Sequence, residues 1–342
     1  MELFAYDKDK DAKIVLKTTP EEFKHGIAFC QYQLGFLSWV HVVLLMMWGT
    51  SVLLPGFVNG VLHLFPLTIE ILVVRMLCDA IGFGSGMFRK NVVIYAIVLC
   101  VVACVLNAVH LGFSVQEIVS CQTFLCETDY WFLFVFIFIV AALFAVEVVI
   151  IYCLLRYRRY LHLASLKQIQ LRAPETGNPA IRLGLLWMSG LHTLLLTGWC
   201  ALGFSSVMSQ GIWHLTPLVY EIMLSKFVGE TVFYSPISQK ALKRHVIKLV
   251  SIIVVVGVAI NVTHMVFSIL ELLTSGQYLW QLYVLVVLLG ILALLELLIL
   301  LFLWLYFKSH PKDSNLDDVR ERIYPQKIAF RQTLQSRFVI EL

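Results

Sequence analysis

Apolar runs of about twenty residues follow one another along this chain, and they decide what it can fold into. Each run is long enough, as a helix rising 1.5 Å per residue, to cross roughly 30 Å of hydrocarbon. They fall at about 31–54, 61–84, 92–115, 130–155, 182–206, 212–234, 246–270 and 278–307. The alternating ten-residue segments of a membrane barrel are absent. The pattern predicts an all-α integral membrane protein of about eight transmembrane helices. Composition agrees: 60% of residues are hydrophobic and 14% charged, against roughly 25% charged in soluble domains.

The segments between the runs sort by charge. Arg89-Lys90, the stretch from Arg156 to Arg172, and Lys240 to Arg244 fall on one side with the N-terminal lysines and the tail from Lys308. Segments 55–60, 116–129, 207–211 and 271–277 contain no Lys or Arg. The positive-inside rule then predicts cytoplasmic termini and an even number of spans. Met1 to Lys24 is polar and has no signal-peptide pattern. A net charge of +4 is modest, and basic residues in the short loops between spans point to orientation in the bilayer rather than to nucleic acid. Cys121 and Cys126 lie on the predicted outer side, where a local disulfide is expected. The other six cysteines read as packing residues.

The chain also resembles itself. Sliding it by 151 residues aligns 40–83 with 191–234 without a gap, and eleven of the 44 positions are identical. Leucine matches mean little in a membrane protein, but His41/His192, Trp48/Trp199, His63/His214, Pro66/Pro217 and Glu70/Glu221 are in register. An offset of 154 then pairs Asn107/Asn261, His110/His264 and Glu117/Glu271, and an offset of 149 pairs Glu147/Glu296. The expected organisation is a cytoplasmic segment 1–30, a four-helix repeat 31–155, a linker 156–181, a second repeat 182–307 and a cytoplasmic tail 308–342. Four spans per copy is even, so the repeats should be parallel, related by an axis along the membrane normal.

An ionisable side chain inside a span costs about 2.5–3.5 kcal/mol on insertion scales, so it faces a partner or a wet cavity. Glu70 and Glu221 are the most expensive of these residues. Arg75 lies five residues beyond Glu70, about 140° around the helix, so the expected partners are His41 and His192 from the first helix of each repeat, or water. Glu147, Glu296, Asn107 and Asn261 complete a candidate polar path. Pro66 and Pro217, between His63 and Glu70 and between His214 and Glu221, are expected to kink their helices. Arg75/Asp79 and Lys226/Glu230 read most simply as intrahelical ion pairs snorkelling to the interface.

A second set lies nearer the outer side: His63, His110 and Glu117, copied as His214, His264 and Glu271. Two imidazoles and a carboxylate suit a divalent metal, and two imidazoles suit haem iron. Histidines bonded at the interface are the plainer reading. No phosphate-binding glycine loop, H-E-x-x-H or nucleophile elbow occurs, which argues against an enzyme. The favoured function is a transporter or channel for an ion or small polar solute, with proton coupling through Glu and His as one form of it. The alternatives are a non-enzymatic receptor or scaffold, and a haem- or metal-binding membrane protein using the outer histidines.

Overall fold

The computed structural model of the protein describes residues 19–52, 66–82, 86–123, 131–166, 179–202, 214, 216–233, 240–274 and 280–309. These form eight helices: α1 (Pro20–Val52), α2 (Leu67–Gly82), α3 (Gly86–Thr123), α4 (Trp131–Leu166), α5 (Pro179–Leu202), α6 (Thr216–Phe233), α7 (Lys240–Thr274) and α8 (Trp280–Ser309). No strand occurs among the described residues. Six of the helices, all but α2 and α6, are long and apolar enough to cross a membrane. The chain is a multi-pass helical membrane protein.

Local chemistry sets where helices begin. Thr19 caps α1: its Oγ accepts from the Glu22 amide at 3.3 Å, and the Glu22 carboxylate accepts from the Thr19 amide at 2.8 Å. That is a reciprocal capping box, with Pro20 at the first helical position where its missing N–H is harmless. At α2, Pro66 supplies the carbonyl that accepts from the Glu70 amide at 3.1 Å. The described helix starts at Leu67, with Glu70 in its first turn, while residues 61–65, on the other side of the expected kink, lie outside the described residues. Pro217 likewise stands at the start of α6.

Packing divides the helices into an inner pair and an outer ring. Every residue of α2 and α6 whose side chain is described is buried or half-buried. Exposed large apolar side chains instead sit on the six long helices, for example Phe138, Tyr152, Trp187, Val255 and Val287. That distribution matches lipid outside and charge inside. α2 packs on α1, α3, α5 and α6, whereas α6 packs on α1, α2, α5 and α7. α1 and α3 also pack on α4, and α5 and α7 on α8. One apolar core, containing the fully buried Trp48 and Trp199, draws on both groups of four. Of two further cores, one lies within α1–α4, and the other draws on α5–α8 with Cys78 of α2.

Several boundaries differ from expectation. α1 starts at Pro20 rather than near 31, α4 runs on to Leu166, and α3 stays helical through Thr123, into the segment expected as the outer loop. Hydropathy marks where lipid contact fades, while a helix continues for as long as its backbone bonds do. Cys126 and the side chain of Cys121 lie outside what is described, so the expected disulfide does too. The six cysteines in or beside the spans are free thiols.

Close helix approach makes a direct prediction. A Cβ on Gly49 would stand 2.7 Å from Val219 Cγ2, whereas one on Gly35 would meet nothing within 4 Å. Gly49→Ala should therefore destabilise by about 1–3 kcal/mol through overpacking, and Gly35→Ala should raise stability by up to about 1 kcal/mol. Melting temperatures in detergent check both, and equal shifts would contradict the packing of α1 on α6.

Candidate functional site

Each group of four helices places one polar side chain at a common point. His41 from α1, Glu70 from α2, Asn107 from α3 and Glu147 from α4 meet in the first group, and all four are fully buried. His41 Nε2 lies 2.9 Å from Glu70 Oε2 and 3.5 Å from Glu147 Oε1. The Asn107 amide donates to the other Glu70 oxygen at 2.7 Å and to both Glu147 oxygens at 3.0 and 3.1 Å. In the second group His192 Nε2 is 3.1 Å from Glu221 Oε2 and 3.5 Å from Glu296 Oε1. Asn261 donates to Glu221 Oε1 at 2.9 Å and to Glu296 Oε1 at 2.8 Å. Sequence reasoning named all eight residues; the asparagine as the hub that ties the two carboxylates together needed the structure.

Depth follows from helix register. Asn107 lies near the centre of the apolar segment 91–119 and Glu147 near the centre of 134–166. Glu70 bonds to Asn107, so it shares that depth although it sits in the first turn of α2. His41 lies eleven residues, about 16 Å, before the end of α1. α2 thus starts inside the bundle, some 12 Å below that end, with the positive end of its dipole beside two carboxylates. Helices that begin near mid-membrane beside an ion-binding group are a recurrent device of transporters.

Two carboxylates held about 3 Å from one imidazole and one amide form a compact acceptor set with one positive centre missing. Both glutamates cannot stay ionised in a dry interior without protons or a cation between them. The amide takes one oxygen of Glu70 or Glu221 and leaves the other to the imidazole, whereas in Glu147 and Glu296 the same oxygen, Oε1, faces both amide and imidazole. Among the described residues, Asn107 Oδ1, Asn261 Oδ1, Glu296 Oε2 and His41 Nδ1 have no hydrogen-bond partner. A buried group without one costs about 1–3 kcal/mol.

The outer set is assembled in the second group. His214 Nε2 is 2.9 Å from Glu271 Oε2, and His214 Nδ1 is 3.3 Å from His264 Nε2. Glu271 reaches His214 from one ring nitrogen and His264 from the other, so the three form a line rather than a ring of donors around one point. The Glu271 side chain is 47% exposed, whereas Asn261 on the same helix is fully buried. Positions 261, 264 and 271 fall on one face of α7, so polar groups run from the exposed end of that helix to the buried cluster. In the first group His110 stacks on Trp48 at 5.6 Å and meets Phe136 edge-on at 5.5 Å. Glu117 is half-buried on the same helix, and His63 lies outside the described residues.

Between the groups are contacts that sequence reasoning missed. The intrahelical pairs form, with Arg75–Asp79 at 3.1 Å and Lys226–Glu230 at 3.0 Å. Their cations do not snorkel outward. Lys226 is 0% exposed and donates to Ser38 of α1 at 2.6 Å, while Arg75 donates to Ser189 of α5. Ser38 and Ser189 are themselves 151 apart, two residues upstream of the aligned segment, and carrying the offset back would have found them. Trp39 donates to Glu230 at 3.0 Å and its ring lies 5.5 Å from the Lys226 ammonium.

The chain matches no protein-family model, no curated protein and no solved structure.

Proposed function

We propose that the chain is a membrane transporter for a small cation, and that its two His–Glu–Asn–Glu clusters are the sites through which the cation passes. The observation that carries this is the pair of carboxylates in each cluster, fully buried, within bonding distance of one imidazole and one amide. A scaffold gains nothing from burying two acids side by side, because an apolar pair of equal volume packs at least as stably. A carrier needs such groups.

The unit of function is the four-helix repeat, 31–155 and 182–307, with both termini cytoplasmic and α2 and α6 serving as the second spans of an eight-span bundle. Four observations support this. Exchanging α1–α4 with α5–α8 maps the set of helix packings onto itself. Both clusters use the same four residue types from corresponding helices. Lys226 to Ser38 and Arg75 to Ser189 are one contact made twice. Thr68 on Cys200 and Val219 on Gly49 are another. Such pairing fits an axis between α2 and α6, across which two halves can rock.

Flux across liposomes reconstituted with the full chain tests the proposal. Cation flux should exceed that of protein-free liposomes and fall to that background in the Glu147→Gln/Glu296→Gln double variant, which preserves side-chain shape. Equal flux in wild type and variant, with both folded, would remove the clusters from the path and favour a scaffold.

A further inference from the structure

We infer that the cation each cluster is built for is a divalent transition-metal ion of the manganese, iron(II) or zinc class, an inference that rests on the transport reading above.

The donor edges that run from each imidazole have the spacing such an ion demands. His41 Nε2, Glu70 and Glu147 each offer one atom, and these atoms lie within 4.8 Å of one another, as do those of His192, Glu221 and Glu296. First-row ions bind imidazole nitrogen and carboxylate oxygen at about 2.0–2.2 Å, so neighbouring donors on one ion stand about 2.8 Å apart at right angles and up to about 3.6 Å apart in a tetrahedron. The observed edges from the imidazole are 2.9 and 3.5 Å in the first cluster and 3.1 and 3.5 Å in the second. The same His–Glu–Glu set therefore occurs twice, with edges that agree within 0.2 Å.

Charge selects the valence. Two carboxylates and a neutral imidazole sum to minus two, and a divalent ion makes the site electroneutral. A monovalent ion leaves one uncompensated charge in a fully buried position, which is costly. The imidazole selects among divalent ions, since magnesium and calcium prefer all-oxygen shells. A further ligand is to hand. Glu296 Oε2 has no partner among the described residues and faces Gly257, where a Cβ would stand 3.5 Å away. The carbonyl oxygens of Asn107 and Asn261 are also unpartnered, and a half-turn of the amide presents each to the site. One donor from each of four helices is how helical bundles hold such ions.

The test is Mn2+ binding to the purified full chain after treatment with a chelator, read from the electron paramagnetic resonance signal of free Mn2+. Wild type should bind two ions, His41→Gln or His192→Gln one, and the double variant none. Zn2+ should displace Mn2+, and Mg2+ at equal concentration should not. Should the histidine variants fail to fold, Asn107→Ala and Asn261→Ala keep all three donors of each set. They should then weaken binding by roughly 10–100-fold, as loss of a ligand-orienting group does. No binding, or binding indifferent to all four substitutions, overturns the inference. If Mn2+ does not bind yet monovalent cation flux still depends on Glu147 and Glu296, the metal assignment alone fails. If no cation crosses at all, the transport reading fails with it.

Discussion

Glu70→Gln and Glu221→Gln are each expected to remove about half of the cation flux, and the double substitution nearly all of it, as independent sites require. The clusters draw on different helices, His41, Glu70, Asn107 and Glu147 in one and His192, Glu221, Asn261 and Glu296 in the other. Each substitution removes a charge that a bound cation needs and keeps the volume of the side chain. A glutamine carbonyl can still accept from Asn107 or Asn261, and its amide can donate to the histidine ring nitrogen, so folding should be preserved. Flux and melting temperature measured on the same preparations separate the possibilities. Unchanged flux with a lowered melting temperature would make these glutamates structural. Complete loss in either single variant would mean that one path traverses both clusters.

The second large effect is on stability. Glu230→Gln should cost roughly 3–5 kcal/mol, because it leaves the Lys226 ammonium buried without its carboxylate. Lys226 has no exposure to share the burden, and its remaining partners are Ser38, Cys78 and the Trp39 ring. Lys226→Met should cost less, since the stranded carboxylate of Glu230 is 24% exposed and can be hydrated. The double variant Lys226→Met/Glu230→Gln should recover most of the loss. Melting temperatures of the four proteins give the coupling directly, and additive losses would show that the pair is not coupled.

What was legible in the sequence was chemistry that apolar surroundings make conspicuous. Glu70, Glu147 and their copies stand out because a carboxylate inside a hydrophobic run needs a reason. Offsets of 151 and 149 gave Glu70 and Glu147 their counterparts. The angle between Glu70 and Arg75 already excluded Arg75 and left His41 or water as partner. Illegible was whatever depends on the approach of separate helices. Ser38 and Ser189 look like ordinary small residues until Lys226 and Arg75 reach them from the other group. The start of α2 at Leu67 was hidden because residues 61–84 read as one apolar run, with Pro66 readable as either a kink or a beginning. The outer histidines were legible as a set but not as a line, since ring orientation leaves no trace in spacing.

The most direct measurement is the charge movement that accompanies cation entry. Full-length protein in liposomes on a solid-supported membrane should give a transient current when the cation concentration is stepped. Its amplitude should saturate with concentration, because binding carries charge to the depth of Glu70 and Glu221. The Glu70→Gln/Glu221→Gln double variant should give no such transient at equal protein density. A transient of unchanged amplitude in that variant would place the cation elsewhere and contradict the assignment of the buried clusters as its sites.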